Sequence, residues 1–276
     1  MACLTRACAW RRQWPVLLAS LYLLALVLAA LLAPLLTPFD PLAADFDQTR
    51  AAPSAQHWLG ADKQGRDVFS RLLFGARLSL VVGFASQAPI LLVGGALGCL
   101  AGQRGGWTDA LIMRLVDIFY AFPTTLLLIA LMTILGRGFA SLLIALTITS
   151  WAGVARLLRG QVMRLRRAEF VTAALGLGAS DWRIFWRHIL PNLMSTLFVM
   201  LSLGIPAAIM AEAGLSFLGV GLLPPAPSWG LMLSDGFSVV RSSPHLAWAP
   251  GLAIGLTMLA LYILGDSLRD ALDPRG

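Results

Sequence analysis

The sequence predicts an all-α integral membrane protein with about six transmembrane helices, and three observations carry that prediction. Of its 276 residues, 58% are hydrophobic and only 13% are charged, against a charged fraction of about 25% in soluble domains. Residues 13–39, 78–103, 118–136, 138–155, 188–211 and 242–265 contain no Asp, Glu, Lys or Arg, and a spanning helix needs about 20 mostly apolar residues. With the N-terminus inside and six crossings, fourteen of the cations fall inside and seven outside. Cations accumulate on the cytoplasmic side, so both termini are placed in the cytoplasm. The net charge of +7 would suggest nucleic acid in a soluble chain. Divided between two sides of a membrane it does not, and no nucleic-acid partner is inferred.

The first span follows Arg6, Arg11 and Arg12. Its apolar run is longer than the 7–15 residues of a secretory h-region, so residues 1–37 read as a cytoplasmic N-terminus with an uncleaved membrane anchor. Residues 38–76 form an external polar region that opens with the turn-forming run Pro38-Phe39-Asp40-Pro41. It continues as HWLGADKQGRDVFSRLLFGARLSL from His57 to Leu80. Gly60 and Gly65 suit tight turns, and Asp62, Arg66 and Asp67 can bond among themselves and to backbone. Each residue of this run, Ser70 and Arg71 included, reads as part of a self-satisfied subdomain. Its outer surface as a whole remains open to contact with a soluble partner.

Residues 77–276 then hold the other five spans. Between the second and third, RGGWTDALIMRLVDIFYAFP runs from Arg104 to Pro123. Boundary ions are expensive unless paired, and Arg114 and Asp117 at i, i+3 can pair on one helix face. Asp109 lies on the same stretch. The fourth interval, 138–155, is the shortest and has room to extend past Arg156.

The polar loop 156–190 organises the rest. From Glu169 to Asn192 it reads EFVTAALGLGASDWRIFWRHILPN. Phe170, Ala173, Ala174 and Leu177 recur at one-face helical spacing. Gly176 and Gly178 break that helix, Ser180 caps a second one and Asp181 suits its first turn. Trp182, Phe185, Trp186 and Ile189 repeat the spacing, and Leu190-Pro191 enters the fifth span. The pattern predicts two short helices with a turn between, the first with a small Ala face suited to close docking. A basic amphipathic helix lying on the membrane surface has the same pattern.

Glu212 closes the fifth span at its outer side, with pathway and structural roles both open. The uncharged interval 213–234 contains Gly219, Gly221, Pro224, Pro225, Pro227 and Gly230. Irregular backbone at membrane depth must be buried in protein or line a cavity, so this interval reads as an external loop or a re-entrant segment. After the last span, Asp266, Arg269, Asp270 and Asp273 are spaced for local pairing.

Several function classes find no residues here. No G-x-x-x-x-G-K-[ST] phosphate loop occurs, and the only lysine, Lys63, is external. His57, His188 and His245 are scattered, so no metal site is inferred, and no Ser/His/Asp spacing suggests catalysis. Cys3, Cys8 and Cys99 give no disulfide framework. No enzymatic site and no cofactor of its own are therefore inferred for the chain. An ion-gradient-driven secondary transporter subunit is one alternative left open, although few carboxylates lie inside the spans.

The loop resembles the signature, called the EAA loop, of permease subunits of ATP-binding-cassette importers. That pattern is Glu-Ala-Ala, three residues, Gly, nine residues, Ile, one residue, Leu-Pro. Ala173, Ala174, Gly178, Leu190 and Pro191 match it, whereas Thr172 replaces the Glu and His188 the Ile. The form FVxAAxxLGAS…RHILPN resembles the dipeptide, oligopeptide and nickel branch. The His57–Leu80 run is similar to that branch's HxLGTDxxGRDxxSRxxxGxRxSL, and AEAGLSFLGVG around Glu212 resembles its AEAxLSFLGLG. On these residues the chain resembles the second, C-type permease of the pair.

The resemblance implies a type I importer permease fold in the bacterial cytoplasmic (inner) membrane. It implies a homologous second permease, two cytoplasmic ATPase subunits that use ATP and Mg, and an extracytoplasmic solute-binding protein. It also implies alternating access driven through a coupling loop that includes Glu169, Phe170, Ala173, Ala174, Gly178, Ser180, Leu190 and Pro191. Peptides and nickel chelates are both served by the branch.

Overall fold

The computed structural model describes residues 2–272, with side chains from Trp14 onward. Arg6, Arg11, Arg12, Cys3, Cys8 and Asp273 lie outside the described side chains, as does Arg275, one of the fourteen cations placed inside. Among the described residues every long element is helical, and an isolated antiparallel bridge joins Ala61 to Asp67. Five helices are long and apolar enough to cross a membrane, and a bent pair makes a sixth crossing if counted as one.

The first crossing helix, α1 (Ala2–Leu31), is followed by the short α2 (Ala33–Leu36). It sits at the edge of the bundle, with Leu17, Leu18 and Leu21 exposed. Ala19 and Leu23 pack on Ala260, and Tyr22 Oη shares a 3.0 Å hydrogen bond with Thr257 Oγ1.

Helix α3 (Val68–Arg104) begins within the stretch expected to be external, well before residue 78. The physical reason is Asp67, whose carboxylate caps the helix by accepting Ser70 N–H at 2.7 Å. Counting charges hid this start, because Arg71 and Arg77 lie in its first turns.

Helix α4 (Gly106–Ala121) and helix α5 (Thr124–Leu135) meet at 90°. One straight third span over 118–136 is therefore corrected to a broken pair. Pro123 forces the preceding residue out of the helical region, and Phe122 is extended at φ −99°, ψ 136°. Helix α6 (Phe139–Arg166) does run past Arg156.

Helices α3 and α6 form the most extensive pair in the bundle. Gly94, Gly98 and Gly102 of α3 lie one turn apart and let the backbones approach. A Cβ at Gly98 would stand 2.5 Å from the Ala155 carbonyl oxygen, and one at Gly94 2.6 Å from that of Trp151. In lipid, helices associate through such small-residue contacts rather than by a hydrophobic drive.

The signature loop holds α7 (Glu169–Gly176) and α8 (Asp181–Ile184). Residues Phe185–Ile189 form a π-turn that runs directly into α9 (Leu190–Phe217). The second short helix expected from the sequence is thus the first turn of a continuous helix from Asp181 to Phe217. Pro191 has no N–H for the ordinary i−4 bond, and Leu190 N–H reaches back to Phe185 O instead.

The uncharged interval 213–234 divides three ways. Helix α9 continues to Phe217, an irregular turn follows, and α10 (Trp229–Phe237) packs between α9 and α11 (His245–Leu272). Trp229 is buried, and its Nε1 donates to Leu72 O at 2.9 Å. The interval combines an irregular turn with a short buried helix, the kind of backbone tolerated at depth only when protein covers it.

Candidate functional site

The segment from Glu169 to Asn192 is built outward from a buried anchor. Val171 and Ile184 are buried with Ile189 and Leu193 in the largest core cluster, and Ala174 and Ala179 pack partly against them. Val171 therefore seats α7 on the bundle. Of the face spacing, Phe170, Ala173 and Leu177 are exposed while Ala174 turns partly toward Val171's cluster, so the spacing did not single out Val171.

The turn after α7 closes as a Schellman motif. Ala179 N–H donates to Ala174 O at 3.0 Å and Gly178 N–H to Leu175 O at 2.9 Å. Gly178 has φ +80°, so the break belongs to Gly178, while Gly176 is still helical. Ser180 Oγ accepts Arg183 N–H at 3.4 Å, and Thr172 Oγ1 donates to Glu169 O at 2.8 Å. Asn192 Nδ2 donates to His188 O at 2.6 Å just beyond Pro191.

What this framework presents outward is apolar. Phe170, Leu175, Leu177, Trp182 and Trp186 are all exposed, Leu177 at 90% and Trp182 at 72%. Trp182 and Trp186 meet edge to face at 5.4 Å. Arg183 and Arg187 are exposed among them, with Glu169 and Asp181. Contiguous exposed apolar side chains rimmed by polar groups mark interaction surfaces, and Trp with Arg is the composition of interface anchors. Of the expected Ala face, Ala173 is exposed and Ala174 turns partly inward.

The run from His57 to Leu80 is organised in the opposite sense. Gly60, Asp62, Gly65, Arg66, Asp67, Ser70 and Arg71 are all buried. Arg66 Nε and Nη2 each donate to Asp62 Oδ2 at 2.7 Å, and the other oxygen accepts Gln64 N–H at 2.8 Å. Asp67 binds His57 Nδ1 at 2.9 Å. Arg71 donates to Pro41 O at 2.9 Å and to Pro225 O at 3.4 Å. Gly60 and Gly65 both have φ +75°, and a Cβ on Gly65 would overlap the Asp45 backbone. Sequence reasoning missed the acid that ties this cap to the helices: Asp235 of α10 pairs with Lys63 and lies 3.7 Å from Arg66.

Three further acids find their partners in the folded chain, and the Arg114–Asp117 pair expected from the sequence does not form. Asp117 pairs with Arg156 of α6, not with Arg114, and Asp109 pairs with Arg159. The bend after α4 lays that helix along α6, which brings the arginines within reach. Glu212 lies inside α9 at 0% exposure. Its carboxylate accepts hydrogen bonds from Ser228 Oγ at 2.6 Å, Ser216 Oγ at 2.8 Å and Ser79 Oγ at 3.4 Å. Here it faces protein rather than an opening.

The profile of the family described as "Binding-protein-dependent transport system inner membrane component" matches residues 94–275. The chain is 44% identical to a glutathione transport system permease protein, GsiD, of Pectobacterium atrosepticum, over 96% of this chain and 90% of that protein. It is 41% identical to the dipeptide transport system permease protein DppC of Bacillus subtilis, over 97% of this chain and 85% of that protein. Among solved structures, an inward-facing form of the MetNI methionine ABC transporter aligns at TM-score 0.61 and 18% identity, covering 74% of this chain and 97% of that chain. At that identity the likeness concerns the fold alone.

Proposed function

Because this chain belongs to the binding-protein-dependent transport system inner membrane component family, the permease subunits of ABC importers, we propose that it carries small peptides across the membrane. The names of its relatives support that substrate class over nickel chelates: they are glutathione and dipeptide permeases at 44% and 41% identity. Family membership sets aside the ion-gradient alternative.

The partners and the energy supply follow from the coupling segment. Its exposed Phe170, Leu177, Trp182 and Trp186 form an apolar surface that a cytoplasmic ATPase subunit covers, and this is the observation that carries the reading. ATP and Mg are handled by those ATPases. A homologous second permease completes the path, and an extracytoplasmic binding protein delivers the solute. Both termini face the cytoplasm, in keeping with the fourteen-to-seven cation bias. Closure of the ATPases pulls on α7, and the continuous helix from Asp181 through α9 passes that movement to the spans.

The test is uptake by vesicles carrying this chain, its second permease, the ATPases and the binding protein. Labelled dipeptide or glutathione uptake should require both ATP and the binding protein. Uptake of nickel with no peptide uptake would reject the substrate class.

A further inference from the structure

Between the C-terminal ends of α6 and α11 and the N-terminal half of α9 lies a cavity of about 760 Å³. Arg164 and Arg269 stand on its lining from two different helices, with Gln161, Ser195 and Thr196 as further polar groups, and the rest is mostly leucine, valine and methionine. Among the described residues no Asp or Glu lines it.

The two guanidinium groups come together from different helices with no described carboxylate between them. Arg156, Arg159 and Arg166, on the same helix as Arg164, each pair with a carboxylate. Arg164 and Arg269 meet none among the described residues. Two uncompensated cations over an apolar chamber, between helices that cross a membrane, call for one anionic group joined to hydrocarbon. A free phosphate ion would leave most of the volume empty and the apolar wall wet. Basic pockets between spanning helices seat acidic phospholipid headgroups in this way.

We propose that this cavity binds an anionic phospholipid, its phosphodiester between Arg164 and Arg269 and its acyl chains along α9. Ala168, the residue at the start of α7, also lines the cavity. The lipid therefore sits against the base of the coupling segment.

The experiment uses the full chain, purified and stripped of lipid, with lipid binding read by thermal shift and titration. Phosphatidylglycerol should bind about thirtyfold more tightly than phosphatidylcholine with the same acyl chains, the increment of two basic residues. Arg164→Gln with Arg269→Gln should reduce the ratio to near one, and the paired Lys substitutions should retain most of it. Equal binding of the two lipids by the native chain would overturn the proposal, as would an undiminished ratio in the Gln pair. Saturation by inorganic phosphate at the same concentrations, or by an acidic dipeptide, would also overturn it, assigning the site to a free anion or to the transported solute. Should the Gln pair fail to fold, the native lipid ratio and the Lys pair still decide.

Discussion

Glu212 Oε1 accepts the Ser228 hydroxyl at 2.6 Å, and the same hydroxyl oxygen accepts the Gly230 N–H at 3.2 Å. A buried carboxylate on α9 thus fixes the residue that caps α10. Ser228→Ala should lower the stability of the purified chain by about 1–3 kcal/mol, since it removes a cap and strips a buried acid of a donor. Glu212→Leu should cost more than Glu212→Gln, because it leaves three serine hydroxyls without their acceptor. Thermal midpoints in detergent measure all three, and an unchanged midpoint for Glu212→Leu would remove Glu212 from this role.

The external cap carries the second expectation. Arg66→Leu leaves Asp62 buried with its main cation gone, and breaking a buried pair from one side costs about 3–5 kcal/mol. Residues 38–67 should then become open to limited proteolysis from the outer side while α3 stays inserted. If the cap stays as protected as in the native chain, the Asp62–Arg66 pair is not what holds it.

The contrast between these two elements shows what the sequence displays. Asp62, Arg66, Asp67 and the glycines of the cap could be read as a self-bonding group because their partners are close in sequence. Asp235 could not, because it comes from α10, with helices α3 to α9 intervening in the chain. Charge-free intervals overlap each of the five long apolar helices, yet they carry no information on backbone direction, so the bend at Pro123 and the start of α3 at Val68 were not seen. Arg156 and Arg159 reach Asp117 and Asp109 only once α4 has turned along α6. In the coupling segment the exposed helical face was legible, whereas Val171 was not, because a lone Val on a short helix resembles any other apolar residue.

The glycines of α3 give a paired test. A Cβ at Gly98 meets the Ala155 carbonyl oxygen at 2.5 Å, but one at Gly95 meets only Leu158 Cδ1 at 3.7 Å. Gly98→Leu should separate α3 from α6 and yield aggregated protein, and Gly95→Leu should purify as the native chain does. Size-exclusion profiles after detergent extraction distinguish them, and identical monodisperse profiles would contradict the close approach of these helices.

The coupling surface is best tested where docking can be separated from folding. Ala174→Asp confuses the two, since Ala174 packs partly against the core. Leu177 is 90% exposed, so Leu177→Asp should leave the chain inserted and stable while weakening capture of the ATPase subunits and stopping uptake. Trp182→Ala should act in the same direction. Gly178 probes the geometry instead of the contact. A Cβ there meets nothing within 4 Å, but the backbone has φ +80°. Asn tolerates that region and Val does not, so Gly178→Asn should transport and Gly178→Val should not, with a backbone cost of roughly 1–2 kcal/mol. Arg241→Gln, in the loop between α10 and α11 and away from this surface, serves as the control. Co-purification of the ATPases with each variant, measured beside peptide uptake, checks the set. Full ATPase association and full uptake in both Leu177→Asp and Trp182→Ala would show that this surface lies on the membrane and couples to nothing.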